Sequence, residues 1–191
     1  MNKLAYLLAI PSLSAATIDT DALGHLDPVT TLPEWTFTVD SFGTLDQLTF
    51  IDTSQEVPGD PDLLAQVGEA FIIQDDQAPG DEGEGGIVTL TFDGEFNYLS
   101  LSVIDVEETT IVTILDDAGQ TLFAEGFQNG DGEVSGFEWA GDGGKTLIVA
   151  LGGSGAFTVP SFNPIPEPAT GLLALAGSLL LTRRKRDYEQ H

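Results

Sequence analysis

The feature of this sequence that most limits its fold is a period-two alternation of apolar and polar residues. Four runs show it most clearly, at 35–39, 88–92, 99–103 and 147–151. Such alternation is typical of β-strands that bury one face. Three further runs are rich in β-branched residues, at 47–51, 70–73 and 110–115, and are expected to be buried on both faces.

Clusters of Gly, Pro, Asp and Asn separate these runs and predict turns. They lie at 57–61, 78–81, 93–94, 117–119, 129–132 and 141–144. The interior of the chain has no long amphipathic helical pattern, and its length suits one domain. The sequence therefore predicts an all-β fold, a single antiparallel β-sandwich of jelly-roll-like type, over residues 17–159.

The first 16 residues have the pattern of a secretory signal peptide. Lys3 precedes a short apolar run at 4–10, and small residues stand at Ser14 and Ala16. We expect cleavage after Ala16 and export of the remaining chain. A buried first strand or helix is the alternative interpretation.

The C-terminal end has three parts that together predict a membrane segment. Residues 160–168 form a proline-rich spacer, and residues 169–182 are apolar and uncharged. Residues 183–191 form a basic cytoplasmic tail, which begins with the cations that stop transfer: Arg183, Arg184, Lys185 and Arg186. The apolar segment is shorter than the ~20 residues that usually span a bilayer, and flanking Arg side chains can compensate in part.

The order of these parts resembles the PEP-CTERM sorting signal of exported bacterial proteins. The sorting motif is Pro166, Glu167 and Pro168, after Ile165 and before the apolar segment and basic residues. The resemblance implies an exosortase partner, a membrane-anchored precursor, and release to the cell surface or to an exopolysaccharide matrix. The chain departs from the family pattern by continuing past the basic cluster, and an ordinary tail anchor is the alternative.

The charge of the chain excludes some partners. The formal net charge is −25, and Lys145 is the only basic residue between positions 17 and 164. Nucleic acid is therefore not an expected partner, because phosphate backbones require clustered Lys and Arg. The chain has no cysteine, which excludes disulfides and a thiol nucleophile. A solvated acidic surface and a cation-binding surface both remain open.

Five aspartates are candidate calcium ligands because they lie in turns or directly after predicted strands. They are Asp52, Asp60, Asp62, Asp75 and Asp105. Calcium takes six to eight oxygen ligands, and carboxylates at strand ends can converge on one rim of a sandwich. No EF-hand spacing occurs, and a solvated turn is the alternative for each residue.

Short segments in the body carry a second, looser resemblance. They lie at 50–54, 59–63, 71–75, 85–87, 103–107 and 153–156, in that order. They resemble β-sandwich ectodomains that are often joined to the PEP-CTERM signal, and that look like calcium-stabilised carbohydrate-binding modules. The resemblance implies the fold more than any particular ligand.

Catalysis is not predicted. His25 is the only histidine in the body, and Ser154 lies in a glycine-rich turn without the pattern of a nucleophile elbow. We expect Trp35 to be a core residue, and Trp139, between glycine-rich turns, to be exposed and able to stack on a sugar. The sequence thus predicts a non-enzymatic binding or scaffolding protein; the alternative is a secreted hydrolase acting on polysaccharide or ester.

Overall fold

The computed structural model describes residues 15–58, 63–64, 67–74 and 85–166. Within them the chain forms ten β-strands and no α-helix. The strands are β1 (Ala16–Thr17), β2 (Trp35–Ser41), β3 (Gln47–Asp52), β4 (Glu69–Gln74), β5 (Gly86–Ile104), β6 (Thr110–Leu115), β7 (Thr121–Phe127), β8 (Val134–Leu151), β9 (Ala156–Thr158) and β10 (Ser161–Ile165). No helix in this part of the chain is long and apolar enough to cross a membrane. The predicted apolar segment 169–182 lies outside the described residues.

Every strand pairing is antiparallel, which confirms the predicted all-β class. The strand order is β3-β4-β9-β5-β8-β6-β7; in addition β2 and β10 pair with β5, and β1 pairs with β10. The long strands β5 and β8 form the spine, and their pairing runs from Gly86 opposite Leu151 to Ile104 opposite Val134.

Chain connectivity shows that this spine folds back on itself. Ile104 pairs with Val134 at the start of β8, whereas Ile111 pairs with Ala150 near its end. In a straight strand those two positions of β8 would lie about 50 Å apart. The short segment from Ile104 to Ile111 can span at most about 25 Å. The β5–β8 ladder is therefore bent, and its two halves face each other as the layers of a β-sandwich.

The bend lies where the β5–β8 register shifts, between Thr91 and Tyr98. We predicted turns at 93–94 and 141–144, and both predictions are wrong, because the strands continue through these positions as an irregular ladder. Glycine at position 144 makes room for the bend, since an added Cβ would lie 2.4 Å from the Phe96 ring.

The core fills the space between the layers and is rich in aromatic rings. Trp35 is 4 % exposed, as predicted, and its ring lies edge-on to Phe162 with centroids 5.1 Å apart. Trp139 is 7 % exposed, so the prediction of an exposed, sugar-stacking tryptophan is wrong. Its ring packs edge-on against Phe96 at the bend, with centroids 5.7 Å apart.

Burial of the short strands follows the sequence in two cases out of three. β3 and β4 are buried on both faces along their central residues, as predicted. β6 instead alternates, and Ile111 on its outer face is 44 % exposed. β7 is a strand that the sequence did not predict, because its exposed residues lack an alternating pattern.

Candidate functional site

A groove opens on the outer surface where β9 and β10 separate from each other. The N–H of Val159 donates to the carbonyl of Glu69 (3.0 Å), which holds β9 toward β4. The carbonyl of Pro160 accepts from Ile18 (3.4 Å), and β10 then continues alongside β1. Pro160 has no N–H of its own, so it suits a position where the pairing breaks.

One side-chain bond replaces a backbone bond at the point of separation. The N–H of Ser102 in β5 donates to the hydroxyl of Thr158, at 2.8 Å. The ladder resumes further along, where Ser161 pairs with Ser100. The groove opens at the gap between these pairings.

Two adjoining hollows make up this groove, which we call the hydroxyl groove. The first has a volume of about 290 Å³ and is lined by Ser100, Leu101, Ser102, Gly136, Phe137, Glu138, Thr158, Val159 and Ser161. The second, of about 340 Å³, is lined by Thr17, Val67, Glu69, Ser102, Thr158 and Val159. Ser102, Thr158 and Val159 line both hollows, so the two form one elongated depression.

The lining is polar because of strand alternation. Ser100 and Ser102 alternate with the buried Leu99, Leu101 and Val103, and so point out of the core. Directly across the sheet, the exposed Glu138 of β8 pairs with Ser100. The hydroxyls can each donate and accept, whereas a carboxylate only accepts. Buried apolar residues beneath them, Leu101 and Phe137 among others, give the groove an apolar floor.

The carboxylate of Glu69 in the groove is oriented by a hydrogen bond from a buried residue. The hydroxyl of Thr20, which is 4 % exposed, donates a short hydrogen bond to Oε2 of Glu69. A buried donor fixes the direction of the carboxylate without neutralising it. The groove thus presents Glu69 at one end and Glu138 at the other, with hydroxyls between them.

The structure does not bring the two described calcium candidates together. β3 and β5 run in opposite directions, because β4 and β9 lie between them and each neighbouring pair is antiparallel. Asp52 ends β3 and Asp105 directly follows β5, so they lie at opposite ends of the sheet. The other candidates, Asp60, Asp62 and Asp75, lie outside the described residues.

Both described candidates are engaged by the protein itself. The amide of Gln55 and the hydroxyl and N–H of Ser54 donate to Asp52, and these bonds lower the pKa of its carboxyl to about 2. Asp105 is 4 % exposed, with φ 54°, and its Oδ1 accepts from the N–H of Gly132 at 2.7 Å. No group of three His, Asp or Glu side chains able to hold a metal occurs in the part of the chain that the structure describes.

His25 makes structural contacts through both ring nitrogens. Nδ1 accepts from the N–H of Asp52 at 3.1 Å, and Nε2 lies 3.1 Å from the carbonyl of Glu56. With Nδ1 accepting from the backbone, Nε2 is the ring nitrogen placed to donate to the carbonyl of Glu56. His25 therefore ties the leader segment to the end of β3, and neither nitrogen faces a serine hydroxyl.

The sorting motif begins directly after the last strand. β10 ends at Ile165, and Pro166 is exposed. Glu167, Pro168, Arg183, Arg184, Lys185 and Arg186 lie outside the described residues. At the other end of the body β1 starts at Ala16, so the expected cleavage after Ala16 falls within this strand.

Sequence reasoning missed the hydroxyl groove. The alternating serines at 100 and 102 were visible as an outward face, and so was the exposed position of Glu138. The groove itself depends on β9 and β10 choosing different partners, β4 and β1, and no local sequence signal encodes that choice.

No protein-family profile and no curated protein matches this sequence. Among solved structures, a family 29 carbohydrate-binding module from Piromyces equi aligns with a TM-score of 0.43 at 10 % identity, over 80 % of this chain and 92 % of that one. The lectin domain of lectinolysin in complex with Lewis B antigen aligns with a TM-score of 0.39 at 9 % identity, over 79 % and 100 %. A fucose-binding module from Streptococcus pneumoniae aligns with a TM-score of 0.36 at 10 % identity, over 46 % and 71 %.

Proposed function

We propose that this chain is a non-enzymatic binding protein of the cell surface or extracellular matrix, and that its hydroxyl groove binds neutral carbohydrate chains. The observation that carries the proposal is the composition of the groove. Hydroxyl groups from four strands and two carboxylates surround an apolar floor.

The chemistry of this lining matches that of a sugar. Sugar hydroxyls need partners that donate and accept, as Ser100, Ser102 and Ser161 can, and strong acceptors such as Glu69 and Glu138. The apolar floor suits the C–H face of a pyranose ring. The elongated shape, with hollows of about 290 and 340 Å³, favours an oligosaccharide or polysaccharide over a single sugar.

The charge of the protein selects against acidic glycans. The chain has a net charge of −25, and the described lining of the groove includes two carboxylates and no basic residue. A polysaccharide with uronate or sulfate groups would be repelled on approach and within the groove. Neutral exopolysaccharide is therefore the proposed ligand class.

A binding role agrees with the way the histidine is used. His25 bonds to two backbone groups, so it has no nitrogen left to activate a nucleophile. The rival function, a secreted hydrolase on polysaccharide or ester, would require turnover by groups other than a Ser–His pair. Release of reducing ends or of acid from such substrates would establish the rival.

We further propose that the protein is exported and sorted through its two ends. In this proposal the N-terminal 16 residues are removed, and an exosortase recognises Pro166, Glu167 and Pro168 before release from the membrane. The exposure of Pro166 immediately after β10 supports it, because a protease could reach an accessible residue at the start of the motif. Pro166→Ala with Glu167→Ala should leave unprocessed protein in the membrane fraction.

Calcium stabilisation remains part of the proposal, with Asp60, Asp62 and Asp75 as candidate ligands beside Asp52 and Asp105. Because the last two lie at opposite ends of the sheet, they would belong to separate ions.

A glycan array with three proteins tests the binding proposal. Gly136 lines the groove, and no atom lies within 4 Å of an added Cβ there, so Gly136→Gln should obstruct the groove without disturbing the fold. Thr38→Gln places the same side chain on the exposed face of β2, outside the groove. We expect neutral glycans to bind the wild type and Thr38→Gln, and to bind Gly136→Gln at least about tenfold more weakly. Equal binding by all three proteins would refute the assignment of the groove.

A further inference from the structure

Strand β7 ends its layer of the sheet, and none of the described residues pairs with its outer edge. It pairs with β6 from Thr121 to Phe127 and is last in the strand order. Six of its seven residues are exposed, and Phe127 is half-buried. Along its outer edge, N–H and C=O groups face solvent and can pair with another strand.

At the other end of the strand order, the edge of β3 is covered by another segment of the chain. The segment before β2 donates from Leu26 to Phe50 and from Val29 to Leu48, both at 2.8 Å, and so caps β3. At the edge of β2, the N–H of Ser41 donates a hydrogen bond to the carboxylate of Asp46, which partly covers that edge. In the part of the chain that the structure describes, no segment covers the outer edge of β7 in this way, and β7 contains neither proline nor lysine, the residues that usually protect an edge.

The surface around β7 is apolar. Leu122 and Phe123 are each 39 % exposed, and Ile111 on the neighbouring β6 is 44 % exposed. The Phe123 ring contacts Phe137 at the margin of the core, with centroids 6.0 Å apart. An uncovered edge with exposed apolar side chains is a site of association.

Charge indicates what kind of partner fits. β6 and β7 together contain one charged residue, Glu125, in a protein of net charge −25. A basic partner would be attracted to the acidic parts of the surface outside β6 and β7. A surface with a single carboxylate suits a partner that is itself strongly acidic, because there the two bodies meet with least repulsion. A second copy of this chain is such a partner.

The residues of β7 are also compatible with self-pairing. An antiparallel pair of β7 strands with its twofold axis at Ala124 places Glu125 opposite Phe123 of the second copy. The two carboxylates then do not face each other directly, and the contact is closed and symmetric. We infer that two copies of this chain associate through antiparallel pairing of β7, which continues the sheet across a dimer.

This inference does not depend on the proposed glycan binding. The groove is built from the half of the spine that carries β9 and β10, whereas β7 is attached through β6 to the other half of β8. A dimer would leave two grooves free, and would therefore bind a long polysaccharide at two points.

Ionic strength gives the inference a characteristic signature. The net charge makes the two copies repel, and the Debye length falls from about 10 Å at 0.1 M salt to about 3 Å at 1 M. Dimerisation should therefore strengthen as salt is added, the reverse of an interface held by salt bridges. Sedimentation velocity of the purified full chain at several concentrations and two ionic strengths measures this dependence.

Two substitutions at one position test the register. Phe123→Glu places a carboxylate opposite Glu125 of the second copy on both sides of the axis, and should weaken the dimer at least about tenfold. Phe123→Lys places a cation there, and should restore dimerisation and reverse its salt dependence. Phe42→Glu is the control, because Phe42 is 55 % exposed but lies outside β7.

The inference is overturned if the wild type is monomeric at both ionic strengths. It is also overturned if Phe123→Glu and Phe42→Glu dimerise equally well, or if both substitutions at Phe123 have the same effect. Circular dichroism of each variant separates loss of pairing from loss of fold. Glycan binding by a monomeric variant would show that the groove works independently of the dimer.

Discussion

Gly144→Ala should destabilise the protein strongly for a single methyl group, because it closes the space on which the bend of the β5–β8 ladder depends. An added Cβ would lie 2.4 Å from the nearest atom of the Phe96 ring, and two further ring atoms lie within 2.9 Å. Phe96 is fully buried and cannot turn aside easily. Its ring contacts Trp139 and Trp35, with centroids 5.7 and 6.0 Å away.

The expected magnitude follows from overpacking of a filled core, which costs about 1–3 kcal/mol. Gly136→Ala is the matched control on the same strand, since nothing lies within 4 Å of an added Cβ there. Reduced freedom of the unfolded chain should leave this control unchanged or more stable by about 0.4–1 kcal/mol. In a domain of this size each 1 kcal/mol lowers the Tm by roughly 2–4 °C.

Urea unfolding followed by tryptophan fluorescence measures both variants, since Trp35 and Trp139 lie beside the bend. Adding Phe96→Leu to Gly144→Ala should recover part of the lost free energy of unfolding, although Phe96→Leu alone is destabilising. If Gly144→Ala and Gly136→Ala are equally stable within about 0.5 kcal/mol, the described packing at the bend is wrong.

Three further predictions follow from individual contacts. Asp52→Asn should lower stability at neutral pH, because the pKa of Asp52 is depressed from 3.8 to about 2 in the folded protein. The stability that this contributes is complete above pH 3.8 and is lost as the pH falls through 2. Urea titrations should therefore show the free energies of unfolding of the wild type and the variant converging between pH 7 and pH 2. Thr53→Val should lower the free energy of unfolding by about 1–3 kcal/mol, because the buried Thr53 hydroxyl donates to the carbonyl of Gly68 and accepts from the N–H groups of Val67 and Gly68. Thr53→Ser keeps this hydroxyl and should retain most of the wild-type stability, so a thermal melt that ranks the two variants equally would contradict the prediction. Calcium should raise the Tm at matched ionic strength relative to chelator, and Asp60→Ala with Asp62→Ala should remove the shift; identical wild-type melts would exclude calcium stabilisation.

The fold class was predictable because alternation is a local property of each strand. Trp35, Leu90 and Leu101 are buried as their alternating runs required. The bend was not predictable, since Gly and Asp at 93–94 and 141–144 are also the residues of ordinary turns. Only the pairing of two long strands across these positions distinguishes a bulged, bent ladder from two hairpins.

The position of Trp139 shows why flanking residues misled the sequence analysis. Glycine-rich segments on both sides suggested an exposed loop, but in the structure glycines that follow Trp139 make space for aromatic rings. An added Cβ at Gly141 would lie 2.6 Å from the Trp139 ring. Glycine here reflects close packing at the bend, and a sequence without pairing information cannot separate that from a flexible turn.

The candidate sites were less predictable than the core. Carboxylates at strand ends are visible in the sequence, but which end of the sheet each occupies depends on strand direction and order. Asp52 and Asp105 both follow strands, and the number of antiparallel neighbours between these strands places them at opposite ends. The hydroxyl groove likewise depends on non-local pairing, and its most informative residues are the unremarkable serines of β5.

The most direct test of the proposed function is calorimetric titration of a neutral polysaccharide, selected on the array, into the purified protein. We predict saturable binding to the wild type, binding to Thr38→Gln of equal affinity, and binding to Gly136→Gln at least about tenfold weaker. Absence of binding by the wild type to any neutral glycan, or undiminished binding by Gly136→Gln, would contradict the account.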